Sequence, residues 1–115
     1  MSDGTLDWTI EARDGARVVA PAGKVDEKTA TPFGDRLVLE IGAAQTGMVV
    51  VDLGGVAYMS SRGLRALTLA QRRAGEKGLT LVLAQPNEVM REILEISRYD
   101  MVFKVFDTID AALAG

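Results

Sequence analysis

Two runs, Met48–Leu53 and Leu79–Ala84, each apolar but for one residue (Asp52 and Thr80), flank a stretch whose apolar residues recur at helical spacing. Each run has strand length and no polar alternation, which marks a strand buried on both faces. Between them Gly63, Leu67, Ala70 and Ala74 line one face of a helix, with Leu64 beside it. Arg65, Arg72, Arg73 and Glu76 line the other. This amphipathic pattern predicts a helix from about Ser61 to Gly75, closed by Gly78. Strand, helix and strand at this spacing form a right-handed crossover, so the two strands are parallel. The chain is thereby committed to a sheet covered by helices.

The flanking segments extend that sheet. Leu6, Trp8 and Ile10 alternate with Asp7, Thr9 and Glu11, the period of a half-buried strand. Asp14-Gly15 then separates this run from Val18-Val19-Ala20, and Asp-Gly in such a place signals a hairpin. Thr31-Pro32 reads as the cap and first position of a helix carrying Phe33, Leu37, Ile41 and Ala44, with a start nearer Thr29 also open. Asn87 is expected to cap a helix whose apolar residues are Val89, Met90, Ile93 and Leu94. Met101–Phe106 reads as a last strand, and Asp107-x-x-Asp110 resembles a capping pair for a final helix, Thr108–Ala114. The expected fold is a single-domain α/β fold over residues 1–115. It has a mixed β-sheet, an N-terminal antiparallel hairpin, a parallel βαβ core and covering helices.

Composition removes several kinds of chemistry. The chain has 115 residues, no histidine and no cysteine. A Ser-His-acid triad cannot be built, and neither can a zinc site of the common nitrogen and sulfur ligands. Leu53-Gly54-Gly55 lacks the Lys-Ser/Thr that a phosphate-cradling loop requires, and Met59 stands where a serine elbow needs its first glycine. No enzyme, no metal and no cofactor are expected. The net charge of −3 argues against a general nucleic-acid footprint. No run approaches the length of a membrane span. The opening Met1-Ser2-Asp3-Gly4 is polar and acidic, unlike a basic secretion signal. A cytoplasmic location without membrane insertion is expected.

The functional reading rests on the polar tip Tyr58-Met59-Ser60-Ser61-Arg62-Gly63, which places two hydroxyls where the second helix begins. Backbone N–H groups are unpaired there, and the local field favours negative charge. From pattern alone, Ser60 or Ser61 is an ordinary cap, a phosphoryl acceptor, or both in turn. The run Asp52-Leu53-x-x-Val56-x-Tyr58-Met59-Ser60-Ser61-Arg62-Gly63-Leu64 resembles the signature of STAS domains, and more narrowly of bacterial anti-sigma factor antagonists. Pro21-Ala22-Gly23-Lys24-Val25-Asp26 resembles that family's second landmark, an acidic residue at a strand end ahead of the first helix.

The resemblance implies a switch protein whose serine is phosphorylated by a serine-kinase anti-sigma factor and restored by a serine phosphatase. Ser61 then falls on the phosphoacceptor. Ser60 and Arg62 occupy places where the best-known antagonists carry an acidic and a small residue. Asp26, Ser60, Arg62, Gly63, Arg65 and Leu69 are the expected partner contacts. Asp26 could equally be a turn residue or a cap for an earlier helix start. Arg62, Arg65 and Leu69 could equally belong to an ordinary solvated face. An alternative is a constitutive STAS subunit of a larger assembly, such as a lipid-transport ATPase complex, with both serines acting as structural caps. A domain sensing a small molecule or nucleotide is also compatible with the residues.

Overall fold

The computed structural model describes residues 5–44 and 47–115; the polar opening Met1–Gly4 lies outside the described residues. The chain order is β1 (Asp7–Arg13), β2 (Ala16–Val25), α1 (Ala30–Ala43), β3 (Met48–Asp52), β4 (Val56–Met59), α2 (Ser61–Glu76), β5 (Thr80–Ala84), α3 (Glu88–Ile96), β6 (Val105–Phe106) and α4 (Ile109–Ala114). A 3₁₀ turn, Tyr99–Met101, joins α3 to β6.

The sheet runs β1-β2-β3-β5-β6, with β1 and β2 antiparallel and the other pairs parallel. Asp14 and Gly15 have φ of 50° and 81°, the paired positive values that a type I′ hairpin needs. The crossover from β3 through α2 to β5 is parallel and pairs Met48 with Thr80 through Asp52 with Ala84. The two faces of the sheet are covered differently. Val19, Val49, Val51, Leu81 and Leu83 point into the main core with Phe33, Leu37 and Ile41 of α1, Leu67 of α2, and Met90 and Leu94 of α3. Val18, Val50, Val82 and Ala84 face the other way and are covered by Ala112, Ile109 and Leu113 of α4.

Three sequence expectations are corrected, and one left open is decided. The tip Val56–Met59 is a strand, β4, paired in parallel with the far half of β2: Gly23 with Val56, Lys24 with Tyr58 and Val25 with Met59. A bulge between Gly23 and Lys24 lets β2 leave β3 and take up β4. Helix α1 takes the earlier of its two expected starts, capped at Thr29 rather than at Thr31-Pro32, because a hydrogen-bonded turn over Asp26–Thr29 feeds directly into Ala30. Pro32 then stands third in the helix, where its missing N–H still costs nothing. The segment Met101–Phe106 is mostly not strand. A 3₁₀ turn takes its start, Phe103 drops into the core, and only Val105 and Phe106 pair with β5. The cap of α4 is the Thr108 hydroxyl, which accepts from the Ala111 N–H at 3.0 Å. Asp107 and Asp110 instead pair with Arg91 and Arg13 on the surface.

Candidate functional site

β2 and β4 bring the two sequence landmarks together. The Ser60 N–H donates to the Val25 carbonyl at 2.8 Å, so the residue after β4 lies against the end of β2. Asp26 and Ser61 each follow this joined pair by one position. Their meeting depends on β4 rather than on direct contact between β2 and the end of β3.

Ser60 and Ser61 have different environments. Ser60 is buried, with extended backbone, and caps α2: its hydroxyl oxygen accepts from the Gly63 N–H at 3.4 Å. Ser61 is the first residue of the helix and is exposed. Among the described residues its hydroxyl has no hydrogen-bond partner. No acidic residue lies in the first turn of α2, so nothing on its own helix opposes a negative charge there.

Gly63 is buried at the junction of β2, β4 and α2. A Cβ placed there would lie 2.5 Å from Met59 Cγ and 2.6 Å from Val25 Cγ1. Its absent side chain is what lets α2 start so close to the strand ends. Gly63 therefore shapes the site through packing.

Asp26 organises the neighbouring turn. Its carboxylate accepts from the Lys28 N–H at 3.0 Å and the Thr29 N–H at 3.2 Å. Its own N–H donates to the Thr29 hydroxyl at 2.9 Å, which in turn donates to the Lys24 carbonyl at 2.7 Å. This reciprocal arrangement is a capping box one turn ahead of α1. The Lys28 N–H holds the Asp26 carboxyl below its ordinary value, outweighing the opposite effect of burial, with the Thr29 groups adding to it. Thr29 is buried and closes the turn; the sequence offers it only as an earlier helix start, and the spacing Asp26-x-x-Thr29 is the signal for its side-chain role.

The charged candidates spread along one face of α2. Arg62 reaches Glu27 at 3.4 Å across to the Asp26 turn, with both side chains well exposed. Arg65 and Leu69 line a groove of about 490 Å³ between α1 and α2. The structure thus gathers Asp26, Ser60, Ser61, Arg62 and Gly63 at one end of the sheet, with Arg65 and Leu69 leading away from it. Among the described residues no group of three or more His, Cys, Asp or Glu is placed to hold a metal ion. No helix among them is long and apolar enough to cross a membrane.

Comparison with known proteins gives this geometry a family. The STAS profile described as "Mlab, STAS domain" matches residues 8–105. The chain belongs to the STAS family. BtrV of Bordetella bronchiseptica, named as an anti-sigma factor antagonist, is 30% identical over 93% of this chain and 91% of its own length. An anti-sigma factor antagonist structure from Mycobacterium paratuberculosis superposes with a TM-score of 0.85 at 22% identity, covering 98% of this chain and 95% of that one. The antagonist SpoIIAA in its unphosphorylated form gives 0.73 at 14% identity, covering 93% of each chain. The phosphorylated Bacillus form gives 0.66 at 15%, covering 94% and 97%. These low-identity likenesses establish the fold. With BtrV, they make this chain a STAS protein resembling anti-sigma factor antagonists.

Proposed function

We propose that this STAS domain is a cytoplasmic, non-enzymatic partner switch that binds a serine-kinase anti-sigma factor while Ser61 is unmodified and releases it once Ser61 is phosphorylated. A serine phosphatase restores the binding form. The observation that carries this reading is the division of labour at the head of α2. Ser60 does the capping, which leaves the Ser61 hydroxyl exposed at the position of the family's phosphoacceptor.

The physical consequence of modification is local. A phosphoserine adds a charge of about −1.5 to −2 at neutral pH. At the first residue of a helix that charge is favoured by the unpaired N–H groups. Arg65 lies four positions on, the spacing at which an acidic group and a following arginine attract each other along a helix. In a packed interface the same charge must be desolvated beside Asp26 and Glu27, so binding is lost while the fold persists.

The test is incubation with ATP and a serine-kinase anti-sigma factor from the same organism, followed by mass spectrometry of the Tyr58–Arg65 peptide. Phosphate on Ser61, absent in Ser61→Ala, supports the switch. Phosphate on Ser60, or unchanged modification of Ser61→Ala, overturns the site. A permanent subunit of a transport assembly requires no modification of either serine.

A further inference from the structure

The groove between α1 and α2 continues well beyond the Ser61 region. Gly34, Val38, Ala66 and Leu69 form its apolar floor. The helices approach so closely there that a Cβ on Gly34 would lie 3.3 Å from the Ala66 methyl. Val38 and Leu69 remain 36% and 45% exposed. The α2 rim carries Arg62, Arg65, Arg72 and Arg73; Asp35 and Glu76 line it too, with Ala30 and Thr31 at the head of α1. Arg73 leans on Glu76 at 3.8 Å and Arg62 on Glu27 at 3.4 Å. Among the described residues Arg65 and Arg72 have no carboxylate within ion-pair distance. Four arginines on one helix face are a local reversal of sign in a chain of net charge −3.

We infer that this groove is the docking surface for an acidic amphipathic helix of the partner protein. Arg62 to Arg73 spans about 16 Å at the helical rise, room for three turns of a docked helix. An apolar strip of such a helix fits Leu69 and Val38, and its acidic flank meets the arginines. A second copy of this chain fits poorly, because a two-fold contact through the groove sets arginines against arginines. The groove starts at Arg62, beside Ser61, so it is continuous with the proposed switch site. The inference rests on the partner-switch reading and extends its contact surface by three turns of α2.

The test titrates the full chain calorimetrically against a serine-kinase anti-sigma factor from the same organism, at low and high salt. Arg72→Glu and Leu69→Ala lie far from Ser61 and are exposed, so their melting temperatures should match wild type. Lys104→Glu, exposed elsewhere, controls for net charge. Arg72→Glu should weaken binding at least tenfold, Leu69→Ala about fivefold, and Lys104→Glu much less. Added salt should weaken wild type more than Arg72→Glu. Wild-type affinity in both groove variants, with Ser61→Asp failing to bind, overturns the groove and leaves the switch standing. Weakened groove variants beside a tightly bound Ser61→Asp uphold the groove and overturn the switch. No binding by wild type overturns both. A wild-type dimer that Arg72→Glu dissolves would also overturn the inference, in favour of a second copy.

Discussion

Adjacent serines at the head of one helix do different physical work. Ser60 is buried and holds the Gly63 N–H, so Ser60→Ala should cost about 1 kcal/mol of stability, read as a lower melting temperature. Ser61 holds nothing, so Ser61→Ala should melt within about 0.5 kcal/mol of wild type. Reversed sensitivities would mean that the cap is misassigned. Gly63 constrains the site more tightly. A methyl there meets Val25, whose branched side chain cannot turn aside, so Gly63→Ala should destabilise by about 1–3 kcal/mol. A Gly63→Ala protein as stable as wild type would show that the junction has slack. The sequence marked Ser60, Ser61 and Gly63 as a group but could not divide their roles. Division depends on where the helix begins to within one residue, and the hydrophobic period does not resolve that.

At the scale of elements, the periodic segments were legible and the irregular ones were not. The hairpin, the crossover and the apolar stripes of α1 and α2 follow from local pattern, because each matches the face that the structure buries; in α3 Met90, Ile93 and Leu94 do so, while Val89 faces outward at 49% exposure. β4 was illegible, since four residues with exposed Ala57 and Tyr58 read as a loop until the far half of β2 pairs with them. The sequence leaves the start of α1 open between Thr29 and Thr31-Pro32 for a related reason. Its first turn is built by Asp26 and Thr29, polar residues outside any apolar stripe. Two long-range polar clasps were equally hidden. Asn87, which caps α3 through the Met90 N–H at 2.9 Å as expected, also donates its amide to the Val56 carbonyl at 2.7 Å, a tie of α3 to β4 that local pattern does not show. The Lys77 ammonium, just past α2, donates to the carbonyls of Ile41, Gly42 and Ala44 at 3.0, 3.1 and 3.3 Å. It closes the C-terminal end of α1, where unpaired carbonyls concentrate negative charge. Lys77→Met should therefore cost about 1–3 kcal/mol in denaturant unfolding, while Lys104→Met should cost almost nothing. Equal effects would argue that the Lys77 clasp is not formed in solution.

At the scale of the whole molecule, two carboxyls among the described residues, Glu40 and Asp26, tie stability to acid. Burial pushes the Glu40 carboxyl up, but hydrogen bonds from Arg36 and Arg17 at 2.8 Å, with their charges, outweigh it and leave it below its ordinary value. Asp26 is lowered as well. A carboxyl lowered in the folded state stabilises fully above its unfolded value and loses that contribution as pH falls through its folded value. The melting temperature should stay level from neutral pH to about 5 and decline below about 4. Glu40→Gln should lower it at neutral pH and make the acid decline shallower; an unchanged acid profile would remove Glu40 from this role.

The central claim is that a charge on Ser61 breaks a contact without breaking the fold. It is tested most directly by titrating a serine-kinase anti-sigma factor from the same organism with wild type, Ser61→Ala, Ser61→Asp and enzymatically phosphorylated protein in one calorimetric series. The account predicts tight binding by the first two. It predicts at least tenfold weaker binding by Ser61→Asp, about 1.4 kcal/mol, and still weaker binding by the phosphorylated chain, all at unchanged melting temperature. Equal affinities across the series, or weak binding accompanied by a collapsed melting temperature, would contradict it.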